Sequence, residues 1–196
     1  YRIGDPQAAE FCYDAYREKP GNAGLYSSFL LAQNAREIDE AELYAAHCEY
    51  GRLFADVPRY TFPVPYRHEK IRIGYISPDF RRNVMQNFIQ PLLTTYDRTE
   101  FKVYVYSTAT EPDDVTEALR SYADVWRDVG DAPAAEIAAH IRADEIDVLV
   151  DLAGHAAGGA LPVLARRPAP VQIRVYGDVG GARSGCVPDG CRLRSA

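Results

Sequence analysis

From residue 70 onward the sequence alternates between short apolar runs and amphipathic stretches, and this alternation constrains the fold more than any other feature. "KIRIGYIS", "FKVYVYST", "IDVLVDLAG" and "APVQIRVY" are rich in β-branched and aromatic residues and are bounded by Pro, Asp and Gly. Runs of this kind read as strands buried on both faces. Between them, residues 84–96, 115–125 and 134–143 read as helices, with stripes such as Leu119, Tyr122, Ala123 and Trp126, and Ile137 with Ile141. Strand alternating with helix predicts an α/β fold: a Rossmann-like parallel sheet with right-handed crossovers, covered on both faces.

The first 56 residues have a different period. Ala8, Phe11, Cys12 and Ala15 stand at helical spacing, and Lys19-Pro20-Gly21-Asn22 closes the segment. Leu25, Phe29, Leu30 and Leu31 form a second apolar cluster. A third stripe, Leu43, Ala46, His47, Tyr50, Leu53 and Phe54, follows the acidic start "DEAE". His47 reads as a packed helix residue, since no second metal ligand stands at i+4. Three prolines in residues 57–68 make that stretch an extended connection. The expected organisation is a helical region at 1–56, a Pro-rich linker at 57–69, an α/β lobe at 70–177 and a divergent, disordered tail at 178–196.

Composition excludes several classes of function. With a net charge of −6, the chain does not supply the basic face that phosphate neutralisation by a nucleic-acid binder needs. The four cysteines include no C-x-x-C pair, so no zinc site is indicated. Nothing in the 196 residues reads as a signal peptide or an apolar span, and the expectation is a cytoplasmic protein without membrane partners. The chain opens without methionine and in mid-pattern, as a fragment would.

Two turns carry candidate chemistry. In "GYISPDFRRNVMQNF" the first strand breaks at Ser-Pro-Asp and a helix follows, a place where α/β proteins put ligands. Asp79 reads as a turn residue or a carboxylate facing a ligand, and Arg81 as a solvated side chain or a phosphate contact. Asn83 can cap the helix or orient a hydroxyl or phosphate oxygen. In "DLAGHAAGG", Gly154 and Gly158 allow a tight turn with close backbone approach, and His155 either lines a ligand or bonds neighbouring backbone. Neither a G-x-G-x-x-G nor a P-loop is present.

These residues also carry a resemblance. "RIGYISPDFRRN", "EFKVYVYS", "VWRDV", "IRADEIDVLVDLAGHAAG" and "ARRPAPVQI" are similar, in order and spacing over roughly residues 70–177, to the amino-terminal catalytic lobe of O-linked N-acetylglucosamine transferases and their SPINDLY-type relatives. The run G-D-x-x-A-x(6)-A-x(4)-P-x-N resembles half of a tetratricopeptide repeat, which precedes the catalytic region in that family. The resemblance implies a two-lobed (GT-B) enzyme that transfers N-acetylglucosamine, with inversion, from UDP-GlcNAc to Ser or Thr hydroxyls. It implies no metal or other cofactor, and protein acceptors held through the repeat region. Asn83 stands where the family has a histidine proposed as the base. His155, Gly154, Gly158, Arg167 and Gln172 match the family pattern. Arg167 reads as a clamp on loop carbonyls or a substrate ligand, and Gln172 as a buried strand residue. After Tyr176 the match fades and keeps Gly177 and Gly180. With Asn83 at the base position and no second lobe in the sequence, the expectation is an inactive fragment. The alternative is a non-catalytic interaction module built on the helical region.

Overall fold

The computed structural model describes residues 7–33, 36–130 and 132–174. Three helices come first: α1 (Ala8–Glu18), α2 (Ala23–Gln33) and α3 (Glu40–Arg52). There follow β1 (Ile71–Ser77), α4 (Gln86–Thr94), β2 (Phe101–Ser107), α5 (Asp114–Arg120), β3 (Val125–Asp128), α6 (Ala134–Ala143), β4 (Val148–Asp151), the single turn α7 (Leu161–Leu164) and β5 (Val171–Arg174). All four strand pairings are parallel, in the order β3-β2-β1-β4-β5. This is the expected α/β sheet.

Period-two alternation sorts the strands onto two cores. Tyr75, Val103, Val105 and Val150 face α4 and α5, where they meet Ile89, Leu93 and Leu119. Their neighbours Ile76, Tyr104, Tyr106 and Leu149 face the other way, onto Ile137, Ile141 and Leu164 of α6 and α7. Strands β1, β2 and β4 are therefore apolar on both sides, which is why their sequences show runs rather than alternation. Each fully buried aliphatic side chain contributes about 1.5–3 kcal/mol relative to exposure. Gly74 leaves room for a large neighbour: a Cβ there would lie 3.1 Å from the Tyr106 ring and 3.2 Å from Ile146.

Several expectations are corrected. Residues 125–128 are an edge strand, whereas the sequence reading ran a helix through to 125 and placed Trp126 on its stripe. Helix α5 ends at Arg120, and Asp124 then receives the Val103 N–H at 2.8 Å, which docks the next residues beside β2. Four residues are too few to display a period. Helix α4 begins at Gln86 rather than 84, because Asn83 Oδ1 accepts the Met85 N–H at 2.8 Å and holds a turn before the helix. In the helical region, Phe11 and Leu31 are exposed, and Tyr26, absent from the expected apolar cluster, is buried.

Helices α2 and α3 pack on the lobe. Tyr26, Leu30, Tyr50 and Phe54 form one apolar cluster with Leu161 and Ala165 of the α7 turn. No helix or strand lies between Arg52 and Ile71. The connecting residues rest on the lobe nonetheless: the Tyr60 N–H donates to Arg166 O at 2.9 Å, and the Arg142 guanidinium lies 4.7 Å from the Phe62 ring centre and 5.2 Å from that of Tyr66. No helix of the described residues is long and apolar enough to cross a membrane. The expected tail, 178–196, lies outside the described residues.

Candidate functional site

Strand order reverses between β1 and β4. From β1 the chain crosses outward to β2 and β3, then returns to β4 on the other side of β1. The crevice outside the carboxyl ends of two such strands is where open α/β sheets bind ligands. Ile76 pairs with Asp151 at these ends, so the loop after β1, with Asp79, Arg81 and Asn83, and the loop after β4, with Gly154, His155 and Gly158, leave the sheet side by side. The two loops touch: a Cβ on Gly158 would lie 3.1 Å from Pro78 Cβ. A third loop joins them, since Thr108 Oγ1, just after β2, donates to Gly158 O at 3.0 Å.

Within the first loop the polar groups bind one another. Asp79 receives the Asn83 side-chain amide at 3.0 Å, and its own N–H donates to Ser77 Oγ at 3.0 Å. Burial raises the Asp79 carboxyl above its ordinary range, against the pull of Arg81 and Asn83. With Met85 bonded to Asn83 Oδ1, both ends of that amide are engaged inside the loop. Arg81 lies half exposed, 3.7 Å from Glu111, and Arg82 reaches Asp114 at 2.7 Å.

The second loop is built on Asp151, whose fully buried carboxylate accepts the N–H groups of Ala153 at 3.0 Å and Gly154 at 3.2 Å. Burial raises this carboxyl too, opposed by those N–H groups and by Arg174 on the neighbouring strand. Gly154 (φ 57°) and Gly158 (φ 77°) take the left-handed conformation that glycine adopts without a steric penalty. Gly159 is packed more tightly: a Cβ there would lie 2.3 Å from Gly154 O.

His155 is 3% exposed and its ring is turned toward the helical region, where with Ser27, Tyr50, Gly154 and Gly158 it lines a cavity of about 110 Å³. Its Nδ1 is 2.6 Å from Ser27 Oγ on α2, and its ring centre is 4.8 Å from Tyr50 and 5.2 Å from His47, both on α3. Burial, with His47 and Arg174 adding to it, pushes the His155 pKa down to about 3; burial and Arg174 push His47 down to about 4. Both rings are neutral near pH 7 and serve the packing of α2 and α3 on this loop. Ser27 had no signal in the sequence and Tyr50 only that of an apolar stripe, because their role here depends on how α2 and α3 dock.

Two residues of "RRPAPVQI" bond to α7. The Gln172 side-chain amide donates to Leu164 O at 3.1 Å and ties β5 to α7. Arg167 sits at φ 52° with its N–H on Leu164 O at 2.9 Å; the clamp on loop carbonyls expected of its side chain is not formed among the described residues. Gly177 lies outside the described residues.

A parallel sheet whose glycine-bearing loops meet at the point of strand reversal defines a Rossmann-like α/β lobe with a candidate ligand crevice at its carboxyl end. The model of glycosyl transferase family 41 matches residues 32–186. The chain belongs to that family. It is 37% identical over 166 residues to the probable UDP-N-acetylglucosamine–peptide N-acetylglucosaminyltransferase SPINDLY of Solanum lycopersicum, and 39% identical over 166 residues to that of Arabidopsis thaliana. Each match covers 80% of this chain, and 17% and 18% of those proteins respectively. A solved mutant of the Thermobaculum terrenum O-GlcNAc transferase superposes with a TM-score of 0.82 at 30% identity, covering 90% of this chain and 35% of that one.

Proposed function

We propose that this chain supplies the amino-terminal lobe of a protein glycosyltransferase that moves N-acetylglucosamine from UDP-GlcNAc to serine or threonine hydroxyls with inversion. The observation that carries this is the meeting of the 78–83 and 152–160 loops at the strand reversal, in a chain of family 41. The lobe is residues 70–177, residues 57–69 connect it, and helical residues 1–56 hold protein acceptors. In this reading the acceptor hydroxyl and the leaving pyrophosphate lie over the first loop, where Arg81 meets negative charge and the Asn83 amide orients an oxygen. Asn83 has no titrating group near neutral pH, and losing a positioned base costs on the order of 10²–10⁴ in rate. His155 acts through the loop it braces rather than on substrate.

The 196-residue polypeptide by itself is expected to transfer no sugar. The chain spans less than a fifth of the length of the SPINDLY proteins it matches, and one lobe leaves a nucleotide few contacts and a reacting centre open to water. UDP should bind with a Kd of about 1 mM or weaker, which is roughly 4 kcal/mol or less. Calorimetry with UDP and turnover of UDP-GlcNAc on a peptide library test this, for the native chain and Asn83→His. Micromolar UDP binding, or transfer by either form alone, would show the lobe to be self-sufficient. The second reading, a non-catalytic interaction module, is favoured by the engagement of both ends of the Asn83 amide inside its own loop. Adding the carboxyl-terminal lobe of a family member separates the two: transfer by the Asn83→His hybrid supports the transferase, and UDP binding without transfer supports the module.

A further inference from the structure

A second concavity lies at the opposite end of the sheet. Strands β1, β2 and β3 are parallel, so their amino ends share one edge of the lobe. A cavity of about 660 Å³ opens there, and five of its nine lining residues are Arg67, Lys70, Arg72, Arg98 and Lys102. In a chain of net charge −6, such a concentration of cations in one hollow is a local reversal of sign.

Two of these cations are held in place by protein partners. Arg98 donates to Asp124 at 3.0 Å and to Tyr122 O at 2.8 Å, and Arg72 donates to Asp144 O at 2.8 Å. The Asp124 carboxylate is itself spent, since besides Arg98 it accepts the Val103 N–H at 2.8 Å and the Tyr96 hydroxyl at 2.9 Å. The other three keep donors to offer. Lys70 gives one bond, to Arg98 O at 2.7 Å, and retains two N–H groups. The side chains of Arg67 and Lys102 make no hydrogen bond to the described residues, and Lys102 Nζ hovers 5.4 Å from the Tyr104 ring centre. Within the lining the five cations outnumber Glu69 and Asp124; beside it Glu145 lies 3.4 Å from Arg72, Asp147 lies 2.9 Å from His68, and Asp97 stands next to Lys70.

The volume lies in the range of small-ligand pockets, about 300–1,000 Å³. Phe101 is the one apolar residue in the lining, whereas a docked protein segment needs buried apolar anchors. We infer that this hollow binds a small polyanion with adjacent phosphate groups, held by Arg67, Lys70 and Lys102 against the fixed charges of Arg72 and Arg98. Reactants of open α/β sheets sit at the carboxyl ends of the strands. A ligand at the amino ends is therefore an effector or a tether, and the site does not depend on the proposed transfer reaction.

Inorganic triphosphate is the probe, titrated calorimetrically into the 196-residue chain at low salt. Saturable binding is expected, weakened about tenfold or more in the Arg67→Gln/Lys102→Gln variant, whose two side chains support no hydrogen bond of the described fold. A charge-matched control, Arg17→Gln/Lys19→Gln at the exposed end of α1, should bind as the native chain does. Circular dichroism and thermal melts establish that each variant is folded. Absence of saturable binding, equal binding by the pocket variant, or a loss confined to the control would overturn the inference. UDP binding, read in the same instrument, reports separately on the transferase reading.

Discussion

Ser27 Oγ on α2 lies 2.6 Å from His155 Nδ1 in the loop after β4. One hydrogen bond thus joins the helical region to the glycine-bearing loop at the carboxyl end of the sheet. His155 is buried there with His47 and Tyr50 against its ring, so the loop takes its shape partly from the helices.

Ser27→Ala removes a partner from a buried ring nitrogen. The expected cost is about 1–3 kcal/mol, the desolvation penalty of a buried polar atom left unpaired. Urea unfolding should show it as a lower midpoint at unchanged slope. Exposed Ser28→Ala is the control and should change the unfolding free energy by less than about 0.5 kcal/mol.

The two buried histidines make stability depend on pH. Their folded pKa values, about 4 for His47 and about 3 for His155, lie below the ordinary 6.5, so the unfolded chain binds more protons below pH 6.5. Stability is present in full above pH 6.5 and falls as the pH drops toward 4. The raised carboxyl of Asp151 works in the opposite direction, since the folded state takes up its proton first. The net loss between pH 6.5 and 4.5 should be on the order of 2–4 kcal/mol, at about 1.4 kcal/mol per unit for each histidine. Melts across this range should show a steep slope in the native chain and a shallower one in His47→Leu.

Gly159→Ala should be among the most disruptive single-methyl changes in the lobe. The added carbon would lie 2.3 Å from a backbone oxygen that no rotamer change can move. The expected loss is about 3 kcal/mol or more. Gly21→Ala, at φ 86° with open space around it, should cost only about 1–2 kcal/mol for its left-handed backbone. Comparing the two by chemical denaturation separates a steric clash from conformational strain.

At Asn83 the acceptor matters more than the amide. Asn83→Ala loses the bond from the Met85 N–H and should cost about 1 kcal/mol. Asn83→Asp keeps that acceptor and sets a second carboxylate beside Asp79, now 3.0 Å from the amide nitrogen. It should therefore be less stable than the native chain at pH 7 and approach it near pH 4, as one carboxylate of the pair takes a proton. Equal stability across that range would mean that the Asp79–Asn83 bond is not made in solution.

The sequence by itself determined the architecture of the lobe, because four of five strands stand within apolar runs bounded by Pro, Asp and Gly, and the α6 helix is long enough to display its period. Ile71, Ile73 and Tyr75, or Ile137 and Ile141, announce their elements without reference to anything distant. The two loops of the site were legible for the same reason, since each follows such a strand. What only the tertiary structure decided is the direction in which side chains face. His155 follows a strand end, as a ligand-lining residue would, yet the docking of α2 and α3 captures its ring. Residues 125–128 became a strand because Asp124 anchors them beside β2, not through any pattern of their own. The cations at the amino ends of β1 and β2 converge from 67–72 and from 98–102 because parallel pairing sets Ile71 opposite Phe101. Local periodicity is written in neighbouring residues. Burial and convergence come from contacts between segments far apart in the chain, and exist only once the whole has packed.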